Sequence, residues 1–144
     1  MLALARVKLA RWDEAVDDAR AVIRALVTKR YSGDIEAEAT LLLFFRPNGP
    51  ADFVGLERVV GRIGGKHGEF FLHHVGTFRN GGLSTVHVVD GSGSGELCGL
   101  TGHGSVAADR AGRAPSLLSL EYRFENSRSA LRRGLKPAAA SVRF

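Results

Sequence analysis

The sequence predicts an all-β meander or barrel, and three observations carry that prediction. Turn signals recur at short, fairly regular spacing from Arg30 onward: Ser32-Gly33, Pro47-Asn48-Gly49-Pro50, Gly64-Gly65, Asn80-Gly81-Gly82, the run from Gly91 to Gly95, and Gly112 to Pro115. Between them lie segments of about 8–12 residues rich in Val, Ile, Leu, Phe and Thr, the residue types that fit a pleated, half-buried surface. Fifteen of the eighteen glycines fall between Gly49 and Gly104. At about 1 kcal/mol lost per interior glycine, no helix persists at that density.

Taken in chain order, the strands are expected near Ala21–Tyr31, Asp34–Arg46, Asp52–Ile63, Glu69–Phe78, Leu83–Asp90, Glu96–Ala107 and Leu117–Glu125. The second alternates most cleanly: Ile35, Ala37, Ala39, Leu41, Leu43 and Phe45 share one face, and Asp34, Glu36, Glu38 and Thr40 the other. Later strands carry apolar residues on both faces, which fits a barrel with a partly polar lumen or a sheet covered outside by a subunit contact. The run from Gly91 to Gly95 reads as a hairpin turn. The first thirty residues divide the evidence. Leu2 to Leu26 has no Gly or Pro and a helix-forming composition, whereas Val7 and Leu9 alternate with Arg6, Lys8 and Ala10, and Val22 to Tyr31 is β-branched and aromatic enough to pair.

At 144 residues, 44% hydrophobic and 24% charged, the chain fits one compact domain. The net charge of +5 and a pI near 10.0 suggest an anionic partner. The charge is localised, however. Arg128, Arg132, Arg133, Lys136 and Arg143 carry all of it, with no acidic residue after Glu125, and residues 1–125 are balanced. The division is thus a near-neutral domain over 1–125 and a basic tail over 126–144, either a short helix ending near Gly134 and Pro137 or a disordered or docking arm. No nucleic acid or membrane partner is expected of the domain. Cys98 is the one cysteine, so no internal disulfide forms and a reducing, cytoplasmic compartment is expected. It reads as a small buried residue. Arg6, Lys8 and Arg11 interrupt the apolar start, and Leu41 to Phe45 is the longest strongly apolar run, so neither a signal peptide nor a membrane helix is expected.

Three ordered runs resemble a bacterial family of unknown function, the domain-of-unknown-function family 3224. They are Val27 to Glu36, Phe53 to Gly61, and Gly68 to Thr77. Gly93 to Gly102 resembles that family's glycine-rich closing segment, and Trp12-Asp13-Glu14 its opening strand. The resemblance covers about Arg6 to Glu125. It implies a small antiparallel closed barrel of about eight strands, allene oxide cyclase-like and calycin-like, with Arg6–Trp12 as an edge or closing strand instead of a helix. Barrels of that kind include enzymes that steer cyclisation of a reactive apolar substrate in the lumen. No family catalytic motif carries over.

The residues that invite chemistry are polar ones set in apolar strands. Glu57 shares a face with Phe53, Val59 and Ile63, and His74 with Phe70, Leu72 and Phe78. Desolvation would raise the carboxyl pKa, and an imidazole beside it exchanges protons near neutrality. These two are the catalytic candidates. A four-residue loop at Gly64–Gly68 sets Glu57 across from His74, and a five-residue loop sets Arg58 there instead. The plainer alternative has Glu57 and Arg58 on opposite faces, one in a lumen or interface salt bridge and the other solvated. Tyr31, Glu38, Phe53, Arg58, Phe70, Leu72, Glu121 and Tyr122 complete the ligand-binding candidates. Glu36 and Glu38 equally fit a solvated face, and Tyr31 and Tyr122 core positions with satisfied hydroxyls.

Other signatures fail. His73 and His74 point to opposite faces of a strand, and His67, His87 and His103 stand apart in sequence without ligand spacing, so no metal is expected. Gly65-Lys66 is followed by His67 instead of Ser or Thr, and Gly91 to Gly95 lacks dinucleotide spacing. No cofactor is implied. Two functions remain: a barrel that binds or isomerises a small apolar or amphipathic molecule, such as a lipid- or polyketide-like one, and a non-enzymatic assembly module forming a homo-oligomer, dimer or trimer.

Overall fold

The computed structural model describes residues 1–19, 21–46, 52–77, 83–108 and 116–125. Among these every regular element is a strand: β1 Leu2–Asp17, β2 Val22–Gly33, β3 Ile35–Phe45, β4 Asp52–Ile63, β5 Lys66–Thr77, β6 Leu83–Val88, β7 Ser94–Gly95, β8 Leu100–Ala107 and β9 Ser116–Phe124. Eight of them close into one antiparallel barrel, in the order β1-β2-β3-β4-β5-β6-β8-β9 and back to β1. The two-residue β7 is an extra rung against β5, pairing Gly68 with Gly95 and Glu69 with Ser94. The basic tail lies outside the described residues.

The helix propensity of the opening residues loses to pairing. Leu2 to Val7 pair with β9 and close the barrel, while Ala5 to Asp17 pair with β2 through a bulge between Leu9 and Arg11. Ala5 to Val7 are paired on both sides, which satisfies their backbone in the sheet, and Ala3, Ala5 and Val7 are buried. Leu9, Trp12 and Val16, beyond the reach of β9, stay exposed.

Two expectations about turns are corrected. The β4–β5 hairpin has a two-residue loop, Gly64-Gly65, instead of four or five residues, since Ile63 pairs with Lys66. Both glycines have positive φ, 56° and 83°, the signature of a primed hairpin turn that matches strand twist. The segment Glu96–Gly99 is a turn, and β8 begins only at Leu100. That turn sends Leu97 into the barrel end with no exposed surface and leaves Cys98 exposed, against the expectation of a buried cysteine.

Inward residues follow period 2 and form two apolar clusters. The larger holds Tyr31, Ile35, Val59, Phe70, Leu72, Val86, Leu97, Leu118 and Leu120 among others. The smaller, toward the opposite end, comprises Ala25, Val27, Leu41, Leu43 and Phe53, with Phe45 against it. Each buried large side chain contributes about 1.5–3 kcal/mol. On β2 and β4 a single polar residue, Lys29 and Glu57, stands between the two clusters.

Candidate functional site

Those two residues and three others meet in the lumen. Lys29 and Tyr31 come from β2, Glu57 from β4, His74 from β5 and Ser84 from β6. Period 2 aims all five inward, and none exceeds 6% exposure. The register pairs Glu57 with Leu72 and Gly55 with His74, so neither expected pairing across from His74 occurs. Glu57 and His74 are instead diagonal neighbours on one face. Their side chains still meet, with His74 Nε2 and Glu57 Oε1 2.5 Å apart.

The carboxylate is the hub. Tyr31 donates its hydroxyl to Glu57 Oε2 at 2.6 Å, and the Lys29 ammonium lies 3.3 Å from the same oxygen and 5.3 Å from the centroid of the Tyr31 ring. On the far side His74 Nδ1 is 3.2 Å from Ser84 Oγ. Burial pushes the Glu57 carboxyl up, but the Lys29 charge, followed by the His74 and Tyr31 contacts, outweighs burial and holds it below its ordinary value. This reverses the expectation of a raised carboxyl, because desolvation was weighed without the cation beside it. Burial first, then the Glu57 charge and hydrogen bond, drives the Tyr31 phenol well above 10.0. With Glu57 ionised, the Nε2 of His74 carries a hydrogen. Its Nδ1 then accepts the Ser84 hydroxyl when the ring is neutral and donates to it when the ring is charged. Ser84, His74 and Glu57 therefore form a continuous line of polar contacts, with Tyr31 and Lys29 on the other oxygen of the carboxylate.

A cleft of about 630 Å³ opens at the end of the barrel nearest the smaller cluster, lined by residues that include Phe45, Phe53, Val75, Gly76 and Thr77. Its wall also includes the outward-facing Phe44 and Val54; Gly76 pairs with Ser84, which lies one strand behind that wall and does not itself line the cleft. A Cβ on Gly76 would come within 2.6 Å of the Phe53 ring, which leans over it.

The remaining candidates scatter. Phe70 and Leu72 are buried in the larger cluster, away from the cleft. Tyr122 packs edge-on against Phe124, with ring centroids 6.0 Å apart, and lines a separate cleft with Arg62, Gly64 and Gly65. Three candidates point outward and leave the lumen set. Arg58 makes a two-pronged contact with Glu69, at 2.9 and 2.8 Å, Glu38 faces Arg30 at 3.5 Å, and Glu121 is exposed. Parity is the reason: each is one residue out of phase with the buried positions of its strand. Sequence reasoning passed over Lys29 and Ser84. Parity would have found both, since Lys29 alternates with Val27 and Tyr31, and Ser84 with Val86 and Val88.

A closed eight-stranded antiparallel barrel with a buried polar network in its lumen defines the architectural class. Within it, the chain belongs to a family described as a protein of unknown function, DUF3224, whose model matches residues 5–122. A solved structure similar to it is the crystal structure of a DUF3224-family protein of unknown function from Shewanella oneidensis MR-1. That structure has a TM-score of 0.73 and 24% identity, covering 88% of this chain and 98% of the other. No curated protein matches the chain. Among the described residues no helix is long and apolar enough to cross a membrane.

Proposed function

We propose that the barrel binds a small apolar or amphipathic molecule at its open end and moves protons on it through His74 and Glu57, the chemistry of an isomerase or cyclase. One observation carries this reading: the Lys29–Tyr31–Glu57–His74–Ser84 cluster is buried throughout, and its Ser84 end is the strand partner of Gly76 in the cleft wall. A cleft of this volume suits a drug-sized ligand. Ser84 takes a proton from the bound molecule as it passes its own to His74 Nδ1, Glu57 stabilises the imidazolium, and a proton returns along the same route to another carbon, the labile hydrogens of Ser84 and His74 exchanging with solvent between turnovers. No electrons leave the ligand and no cofactor is required. Lys29 keeps Glu57 ionised, and Tyr31 fixes its orientation.

The test uses the full chain. Native mass spectrometry of the purified protein, with displacement of a lipophilic dye, should show one small-molecule site. Incubating the retained or displacing ligand in D2O should place deuterium on carbon, and His74→Ala should abolish that exchange while preserving dye binding. No dye uptake removes the ligand site, and exchange that survives His74→Ala removes the proton relay.

A second reading has its own observation. Leu26, Leu42 and Leu56 lie opposite one another across β2, β3 and β4 on the outer wall, beside Phe44, Val54 and Val75, and all six are more than a third exposed. A contiguous apolar wall of this kind fits a second copy of the chain. Sedimentation of a dimer or trimer at micromolar concentration, converted to monomer by Leu42→Asp, supports assembly. A wild-type monomer refutes it.

A further inference from the structure

The closed barrel brings together residues that the sequence separates. His73 pairs with His87, His87 with His103, and His103 with Glu121, so three imidazoles and a carboxylate form one lateral row across β5, β6, β8 and β9. All four side chains are exposed. None has a hydrogen bond or ion pair among the described residues, and nearby Arg123 is engaged with Glu125 at 3.1 Å. The His87 and His103 rings stand 6.4 Å apart, tilted by 33°. The next outward row, Thr85, Ser105 and Ser119, is of small polar side chains that leave room for coordinated water.

We infer that His87, His103 and Glu121 form a surface site for one divalent transition-metal ion of the zinc class, with His103 at its centre. As they stand, no three His, Cys, Asp or Glu side chains among the described residues converge on one point. Convergence needs only side-chain rotation, because directly opposed residues in an antiparallel pair have Cβ atoms about 4.5–5.5 Å apart. Two imidazole nitrogens at about 2.0–2.1 Å from a shared ion fall within that reach. The longer glutamate arm then closes from the other side of His103. Two imidazoles and one carboxylate are a donor set for zinc and its neighbours, leaving positions for water. His73 is two strands from His103 and takes no part. This site lies on the outer wall and is independent of the lumen relay.

Zinc chloride titrated calorimetrically into the full chain should give one equivalent of binding, reversed by EDTA. His87→Ala and His103→Ala should each weaken it at least tenfold, Glu121→Gln severalfold, and His73→Ala and His67→Ala less than twofold. Imidazole nitrogen spectra should show zinc-dependent shifts at His87 and His103, which a folding defect would not mimic. Binding unaffected by His87→Ala or His103→Ala overturns the site. Loss of equal size in His73→Ala overturns the assignment of its ligands.

Discussion

Replacing Glu57 by Gln isolates the charge at the centre of the barrel. The amide keeps the carboxylate's shape, and one orientation keeps every hydrogen bond. Its oxygen takes the place of Oε2 and accepts from Tyr31 and Lys29, while its NH2 replaces Oε1 and donates to His74 Nε2. That ring then carries its proton on Nδ1 and donates to Ser84. The amide does not neutralise the Lys29 ammonium, whose side chain is only 5% exposed. Removing one partner of a buried pair costs about 3–5 kcal/mol, a large part of the ~5–15 kcal/mol that stabilises a domain. Glu57→Gln is therefore expected to lower the unfolding free energy at pH 7 by that amount, read as a lower urea midpoint at unchanged m, and adding Lys29→Met should recover most of the loss. The pH dependence follows from the direction of the Glu57 shift. A carboxyl held below its ordinary 4.5 in the folded chain contributes stability above that value and loses it as pH falls through the folded pKa. The wild-type midpoint should fall in acid by an increment that Glu57→Gln lacks. Equal midpoints at pH 7, or equal acid slopes in the two proteins, would refute the reasoning.

Three further outcomes are expected. Tyr31→Phe removes a hydrogen bond to a charged acceptor and should cost about 1.5–3 kcal/mol. In absorbance titration it should also eliminate the tyrosine transition that lies well above 10.0, which belongs to Tyr31. Leu97→Ala, at the fully buried plug, should cost about 2–5 kcal/mol in chemical denaturation. Gly61→Ala should cost about 1–3 kcal/mol, since its Cβ would lie 2.2 Å from the Glu36 carbonyl and 2.6 Å from the Ala37 Cα.

Much of the barrel was legible in the sequence because period 2 and glycine punctuation act locally. The strand expected at Asp52–Ile63 matches β4 at both bounds, and the alternation from Ile35 to Phe45 is the observed inward face of β3. Register was not legible. Whether Gly64-Gly65 alone or a longer stretch forms the turn depends on cross-strand packing, and in the register adopted Glu57 meets His74 on a diagonal instead of directly across. The Glu57 charge state was misjudged for a related reason. Lys29 is twenty-eight positions away in the chain and becomes a neighbour only when β2, β3 and β4 curve around the lumen. The row from His73 to Glu121 was invisible for the same reason.

The β1–β9 seam joins the first strand of the barrel to its last. Met1 donates to the Tyr122 carbonyl at 2.9 Å, and Tyr122 donates back to Met1 at 2.8 Å, across a separation of 121 residues. A chain emerging from the ribosome therefore presents β1 long before its partner exists. Until β9 arrives, the Leu2–Val7 edge is an open template for pairing with a stranger. Contacts of such long range slow folding, so the seam is where a chaperone's protection during synthesis would matter most.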